Sequence, residues 1–504
     1  MKVFGAFLVA HLIGDALAYP AEHSAGVTSR DDTSPAVIFP RKPKAKVPLP
    51  PGAAWAKKEC TDKGVISAND PSEKRWKALD TNNALIWAGN YHEAHKKSAR
   101  IPYVEYISDM FHGPEGWDCQ KITSKKCNEG VQCDQVSTPA IYFVMNSIST
   151  LHEILFNAYS ATDTARSDLQ FSLGPFMDTF CPKKKPDMAL EIFKTIIDTV
   201  AFAASMSSAY VFNRLITTGP LLSSDQRGLM KDSANAGIAY ILNANKDNLK
   251  GPTSEIGNQN KMADQANIYF KQIMHAFSDY TDKIFSGKGN YKQQLFNLLK
   301  NGAFMPNNNL NVNVEDLRNE IRTLVYGRMI PQAWRMSPKK AFIPVVLETD
   351  EKCGSDKRGM TKKAFTDKTA KSTRVCVDGV WMYLLSAQPF NCRPLGDEMC
   401  PQQDFFEPLP GGTHDVLDGK KWGKIKVEDV VRSVHEGYKK KGRNGYKADG
   451  KDIGKQKPMD YFSKGVRFPG YWDVPFCPKG NWKDIVLRLS DGSGKRGPFW
   501  PCEK

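Results

Sequence analysis

Apolar side chains recur at three- and four-residue steps through the middle of the chain. The clearest series follows Thr138 and Pro139, a typical helix cap and a first-turn proline. The apolar positions of this series are Ile141, Val144, Met145, Ile148, Leu151, Leu155 and Ala158. A second series consists of Met262, Ala266, Tyr269, Ile273, Phe277, Tyr280 and Ile284. Each series lies on one helical face, so the pattern predicts two amphipathic helices packed on a core.

Other stretches with helical spacing lie between and around these two. Residues 188–216 and 225–245 predict two longer helices, and residues 291–299 and 314–326 predict two shorter ones. Together with the first two, they predict a bundle of about six helices. A further helical stretch at residues 76–97 precedes the bundle in the chain.

The pattern changes after Pro331, where strand-like runs replace the helical spacing. Residues 341–347 predict a strand, and residues 374–385 predict a hairpin with Asp378 and Gly379 in a type I′ turn. Cysteines flank these runs, and the disulfide candidates in this region are Cys353 with Cys376, Cys392 with Cys400, and Cys477 with Cys502. The predicted fold is mainly α: a helical bundle core with a small disulfide-stapled, β-containing C-terminal region.

The chain begins with features of a secretory signal peptide. Lys2 precedes an apolar run that ends at Ile13, and small residues follow at Ala16 and Ala18, which predicts cleavage after Ala18. No later stretch reaches the roughly 18 apolar residues that a transmembrane helix needs. We therefore expect a secreted, extracellular protein.

Eleven cysteines follow the signal peptide, and most should pair in an oxidising compartment. The odd number leaves one over, as a buried thiol or an intermolecular link. The expected organisation is a signal peptide (1–18), a proline-rich pro-segment or linker (19–52), a cysteine-containing region (53–136), the helical bundle (137–330), a disulfide region with the hairpin (331–419), and a basic segment with an aromatic tail (420–504).

The chain is basic, with 70 lysines and arginines against 55 acidic residues and a formal net charge of +15. Such a balance favours polyanionic partners such as an anionic membrane surface or acidic cell-wall polymers. Residues 420–467 hold fifteen basic and six acidic residues with many glycines, which we interpret as a solvated, mobile stretch. Nucleic acid binding by this stretch is a weaker hypothesis.

Sequence motifs of common enzymes are absent. There is neither the G-x-S-x-G of a serine hydrolase nor a phosphate-binding P-loop. His92, Glu93 and His95 have a three-residue histidine step with no third ligand marked, so no metal site or cofactor is predicted. A glycoside hydrolase needs only two carboxylates that are close in space, which sequence spacing does not test. A non-enzymatic function is favoured, and no catalytic residue is identified.

The segment between Asp198 and Arg214 is uncharged and apolar on more than one side. It is either the central helix of the bundle or a segment that inserts into a target membrane. The membrane-interaction candidates are Val200, Phe202, Met206, Tyr210 and Phe212.

The aromatic tail has two interpretations as well. Exposed aromatic rings stack on sugars, whereas buried rings fill the core of a small disulfide-stapled region. Core packing is the favoured alternative, and the stacking candidates are Tyr471, Trp472, Trp482 and Trp500.

Two segments resemble a known family. Residues 137–182 and the run YGRMIPQAW at residues 326–334 are similar to the helical region that follows the catalytic barrel in killer-toxin-like class V chitinases. The catalytic barrel and its acidic signature are missing here, so the resemblance implies a secreted fungal protein with a helical bundle and carries over no site residue. The expected function is that of a secreted effector or toxin-like virulence protein acting on target cells. The alternative is a cell-wall protein that binds or cleaves chitin or glucan.

Overall fold

The structure, a computed structural model, describes residues 49–95, 101–182, 259–306, 313–335, 342–355, 358–388, 405–442 and 464–480, with short pieces at 484–485, 488–489 and 500–502. Over these residues the fold is mainly α, as predicted. The predicted helices at residues 188–216 and 225–245 lie outside the described residues.

Four short helices precede the bundle. They are α1 (Lys63–Ile66), α2 (Ser72–Ala78), α3 (Thr81–His95) and α4 (Tyr103–Met110). Disulfides Cys60–Cys133 and Cys119–Cys127 fix the loop that follows α4. Helices α2 and α3 confirm the helical stretch predicted at residues 76–97, although α2 begins four residues earlier.

The longest helix is α5 (Pro139–Phe180), with 42 residues. It begins as predicted, since the Thr138 hydroxyl accepts the N–H of Ile141 at 3.4 Å and Pro139 occupies the first turn. All seven apolar positions of the predicted series are buried. The helix extends past Ala158 because the same face continues with buried Leu169, Leu173 and Phe176.

Helix α6 (Gln259–Ser286) runs antiparallel to α5. The ring of His152 lies 5.9 Å from that of Phe285, whereas Arg166, further along α5, contacts Asn267. Helices α7 (Tyr291–Leu299) and α8 (Val314–Arg335) complete the described part of the bundle.

Helix α8 continues nine residues beyond the predicted end at Tyr326. Pro331 lies inside it, where proline removes a helical hydrogen bond. The burial of Met329, Ile330 and Trp334 compensates, and the Trp334 indole N–H donates to the carbonyl of Pro410 at 2.7 Å.

The C-terminal region contains a five-stranded sheet. Its strands are β1 (Ile343–Lys352), β2 (Arg374–Val377), β3 (Val380–Ala387), β4 (Phe406–Glu407) and β5 (Phe476–Cys477). The order is β2-β3-β1-β5, with β4 paired to β3; β1 is antiparallel to β3 and parallel to β5. The predicted hairpin is confirmed, because Asp378 and Gly379 both have positive φ, at 50° and 82°.

Two helices accompany the sheet: α9 (Asp367–Thr373) and α10 (Val427–Lys441). One face of the sheet joins the main core together with Val427, Val430 and Val434 of α10. The other face forms a second, smaller core that includes Cys477 and Cys502. The interpretation of residues 420–467 as a solvated, mobile stretch is therefore wrong for residues 420–442, because valines at helical spacing are buried between the surface lysines. Residues 443–463 lie outside the described part.

The predicted disulfides Cys353–Cys376 and Cys477–Cys502 are formed, with Cα–Cα distances of 5.8 and 4.8 Å. Cys392 and Cys400 lie outside the described residues, and Cys181 is buried directly after α5. None of the described helices is both long enough and apolar enough to cross a membrane.

Candidate functional site

Two of the four aromatic candidates of the tail are core residues. Tyr471 is fully buried, and its hydroxyl donates to the carbonyl of Leu324 at 2.6 Å. Trp472 is 1% exposed and donates from its indole N–H to the carbonyl of Val466 at 3.0 Å. Neither ring has a free face, so the sugar-stacking hypothesis is wrong for these two residues.

The remaining candidates divide between the second core and the undescribed segments. Trp500 is partly buried and packs against the second core beside Cys502. Trp482 lies outside the described residues. The membrane-interaction candidates Val200, Phe202, Met206, Tyr210 and Phe212 also lie outside them.

The histidines of α3 have aromatic neighbours. The His92 ring lies 5.1 Å from the Tyr103 ring, and His95 stacks on Tyr91 at 4.0 Å with its Nδ1 2.8 Å from the Tyr91 carbonyl. Within the described ranges, no group of three histidines, cysteines or carboxylates is arranged to hold a metal ion.

Glu351 on β1 is a buried carboxylate within the sheet, at 7% exposed. It accepts hydrogen bonds from the Tyr383 hydroxyl at 2.7 Å, from the Gly359 N–H at 2.8 Å and from the Thr361 hydroxyl. Burial, together with the hydrogen bond to Glu351, raises the pKa of Tyr383 well above its usual range. The carboxylate holds residues 359–361 against β1 and β3, which is a structural role.

Exposed cations are concentrated in the two segments around α9 and α10, which pack on opposite faces of the sheet. We call residues 358–388 and 405–442 the basic layer; they contain fourteen basic and eight acidic side chains. Its exposed cations are Lys362, Lys368, Lys371, Lys420, Lys421, Lys424, Lys426, Arg432, Lys439 and Lys440.

Strand β2 is an edge strand of the sheet and lies within the basic layer. The backbone carbonyls of Arg374 and Cys376 point away from β3, and side chains occupy both. His414 donates from Nε2 to Arg374 at 2.8 Å, and Arg432 of α10 donates to Cys376 at 3.1 Å. Polar side chains therefore cover the open edge of the sheet, and the cations of α10 are held beside it.

At the end of this edge, Lys439 bonds Asp378 in the hairpin turn at 2.6 Å. This hydrogen bond lowers the pKa of Asp378 and raises that of Lys439, so both groups stay charged near neutral pH. Because both side chains are largely exposed, the pair contributes little to stability.

A shallow depression of about 530 Å³ lies on the layer beside α9. It is lined by Asp367, Lys368, Lys371, Ser372, His414 and Asp415. A hydrogen bond from Arg358 at 2.6 Å lowers the pKa of Asp367, so this carboxylate is ionised and already paired. The lining mixes two carboxylates with two lysines, and it lacks the buried, converging groups of an enzyme site.

Helix α5 contacts the basic layer near its C-terminal end and a segment rich in acidic residues nearer its N-terminal end. Residues 101–135, which we call the acidic end, hold six acidic and three basic side chains. Burial raises the pKa of Glu105, and the neighbouring charges of Asp109 and Asp118 add to this effect. His152 of α5 contacts the acidic end and Phe176 of α5 contacts the basic layer, so about 35 Å of helix separates them.

Sequence reasoning identified the basic excess but not its position. The charge counts of the two segments were visible in the sequence, whereas their placement at opposite ends of α5 depends on packing. Comparison with known proteins adds no assignment, since no family model, curated protein or solved structure matches the chain.

Proposed function

We propose that this chain is a secreted, non-enzymatic effector or toxin-like protein that acts on target cells by docking its basic layer on an anionic membrane surface. The observation that supports this most directly is the separation of charge between the basic layer and the acidic end. The fungal origin that the resemblance of residues 137–182 implies is part of the same proposal.

Electrostatic screening by salt allows the basic layer to attract an anionic surface independently of the acidic end. At physiological salt the screening length is about 8 Å, much shorter than the helix that separates the acidic end from the basic layer. The acidic end therefore does not cancel the attraction of the basic layer at an anionic surface. A lysine near such a surface contributes about 1 kcal/mol, so a few of the ten exposed cations are enough for measurable binding.

Export is supported by the disulfides. Four described disulfides are typical of proteins that fold in an oxidising compartment. The signal peptide expected at residues 1–18 leads to the same compartment, and it belongs to the proposal.

The cell-wall alternative has lost part of its support. Tyr471 and Trp472, two of its four stacking candidates, are buried in the core.

Vesicle binding tests the proposal. The purified mature protein should sediment with vesicles of equimolar phosphatidylserine and phosphatidylcholine and stay in solution with phosphatidylcholine alone. Dye release from the same vesicles and loss of viability of intact target cells report on the toxin-like activity. Equal partition to both vesicle types would contradict anionic docking, and binding without any effect on cells would contradict the toxin-like role.

A further inference from the structure

The loop that leads into α10 has an unusual backbone. Residues 418–426, which we call the lysine turn, are closed at their base by a bridge between Asp418 and Lys426. At the tip, Trp422, Gly423 and Lys424 are all left-handed, with φ of 51°, 71° and 61°. This conformation is unfavourable for Trp422 and Lys424, because their Cβ atoms approach the following carbonyl oxygens.

Contacts with the helical bundle hold the tip in place. The Trp422 side chain is 4% exposed, and its ring lies 5.8 Å from Phe176, 5.2 Å from Phe180 and 5.6 Å from Tyr326. Gly423 rests on the backbone of α8, and its carbonyl accepts a hydrogen bond from the Thr323 hydroxyl. The turn is therefore fixed largely by packing from below. Of its lysines, Lys421 adds a cation–π contact, with its Nζ 5.5 Å from the centroid of the Trp422 ring.

The lysines of the turn, Lys420, Lys421, Lys424 and Lys426, are all exposed to solvent. Among the residues that the structure describes, no carboxylate oxygen lies within 4 Å of their ammonium groups. Asp418, the acid of the turn, instead accepts the backbone N–H of Lys420 at 2.8 Å.

Both features oppose folding. Left-handed residues raise the energy of the loop, and four clustered cations repel one another. Strain of this kind is typical of segments that serve binding, where the fold holds a loop in the shape that its partner needs.

We propose that the lysine turn is the docking point of the protein, at which four preorganised lysines contact the phosphate-bearing headgroups of an anionic membrane. This inference rests on the proposed function and narrows it to nine residues. The remaining cations of the basic layer then contribute longer-range attraction.

The chemistry of the turn favours a membrane over nucleic acid. Proteins that bind single strands stack exposed aromatic rings on the bases, and the aromatic ring of this turn, Trp422, is directed into the core. The turn offers lysines, which are compact and strongly hydrated cations suited to an aqueous headgroup layer.

Two charge-matched triple variants test the inference. K420Q/K421Q/K424Q removes three charges from the lysine turn, and K362Q/K368Q/K371Q removes three from the basic layer around α9. Partition to equimolar phosphatidylserine and phosphatidylcholine vesicles should fall about 100-fold for the first variant, since each lysine at the surface contributes about fivefold. It should fall by less than about tenfold for the second, because α9 packs on the second core whereas the lysine turn packs on the main core. Thermal unfolding of both variants checks that the fold is intact.

The other outcomes separate this inference from the proposed function. Equal losses in the two variants would overturn the docking point and leave membrane binding by net charge. Failure of the wild-type protein to bind the vesicles would overturn both. If the lysine-turn variant kept its vesicle binding but lost binding to duplex DNA, the partner would be nucleic acid and the inference would be wrong.

Discussion

At the scale of single residues, Gly423 shows how a close contact limits the choice of side chain. Its φ of 71° is left-handed, and a Cβ atom there would lie 2.6 Å from the Cα and 2.7 Å from the N of Thr323. Those atoms belong to the backbone of α8 and have little freedom to move. Gly379 in the hairpin turn is also left-handed, at 82°, but nothing lies within 4 Å of the position its Cβ would take.

We expect Gly423→Ala to destabilise the protein more than Gly379→Ala. A left-handed alanine costs about 1–2 kcal/mol at either position, and the clash at Gly423 adds a cost of overpacking of about 1–3 kcal/mol. Urea unfolding of the two variants and the wild type measures the difference. Equal losses would show that the lysine turn moves away from α8 at little cost.

His152 is another residue whose environment determines its chemistry. Its ring is fully buried, with Nε2 3.1 Å from the carbonyl of Lys121 and Nδ1 2.8 Å from the side-chain oxygen of Asn128. The Lys121 carbonyl and the Asn128 side-chain oxygen both only accept hydrogen bonds, so the neutral ring, which has one N–H, donates to one of them at a time. Burial lowers the pKa of His152, so the folded state favours the neutral form.

We therefore expect the free energy of unfolding to fall as the pH is lowered, because His152 becomes protonated more readily in the unfolded chain. The unfolded chain protonates this histidine near its ordinary pKa of about 6.5, whereas the folded chain does so only at lower pH. The contribution is complete above that ordinary pKa and is lost as the pH falls towards the folded pKa.

Urea unfolding between pH 7.5 and about pH 5 checks this dependence. In His152→Gln, whose amide can still donate to the Lys121 carbonyl, the loss of unfolding free energy should be smaller than in the wild type. His435 also has a lowered pKa through burial, so the variant keeps part of the slope. An unchanged slope would contradict the assignment to His152.

At the scale of elements, β2 is protected in a way that its sequence does not show. An open strand edge can pair with another chain, and natural sheets cover or charge such edges. Here His414 and Arg432, from two separate segments, occupy the outward carbonyls of Arg374 and Cys376. The protection exists only because the loop before α10 and α10 itself both pack along β2.

Removing both side chains should expose this edge. We expect the His414→Ala, Arg432→Ala double variant to self-associate with rising concentration, and to lose about 0.5–1.5 kcal/mol of stability for each hydrogen bond. Light scattering during size-exclusion chromatography measures the association. Lys439→Ala is the control, because Lys439 bonds the turn residue Asp378 instead of a strand carbonyl; association of the control to the same degree would contradict the role of the edge.

The helices show where local pattern is informative and where it is not. The cap at Thr138 and Pro139 and the span of α7 depend on neighbouring residues, and both were predicted correctly. The predicted end of α8 at Tyr326 was wrong, because the burial of Trp334 against distant residues carries the helix on to Arg335. In α10 the surrounding lysines hid a valine series that is visible as a core face only once the sheet beneath it is known.

At the scale of the whole molecule, we expect binding to anionic vesicles to depend more on where the charges lie than on the net charge. Glu115, Glu129 and Asp134 are exposed at the acidic end, which lies along α5 from the basic layer. E115Q/E129Q/D134N raises the net charge by three without touching the basic layer. We expect its partition to anionic vesicles to change by less than about threefold, because screening acts over about 8 Å.

K420Q/K421Q/K424Q changes the net charge by the same amount in the opposite sense. Its partition to anionic vesicles is therefore compared with that of the acidic-end variant. A gain in the acidic-end variant as large as the loss in the lysine-turn variant would mean that net charge alone governs binding. Repeating the titration at rising salt should weaken wild-type binding steadily, as expected for exposed charges.

The amino-acid sequence by itself determined the elements whose information is local: the start of α5, the packed face of α6 from Ile273 to Ile284, and the hairpin turn at Asp378 and Gly379. Periodicity, caps and turn residues involve only a few neighbouring positions, so they are recognised in the sequence without knowledge of the fold. Only the tertiary structure decided that Tyr471 and Trp472 are core residues, that Trp422 is buried while the four lysines around it are exposed, and that the basic and acidic segments lie at opposite ends of α5. Burial and the position of charges depend on which distant segments come into contact, and no local sequence pattern specifies those contacts.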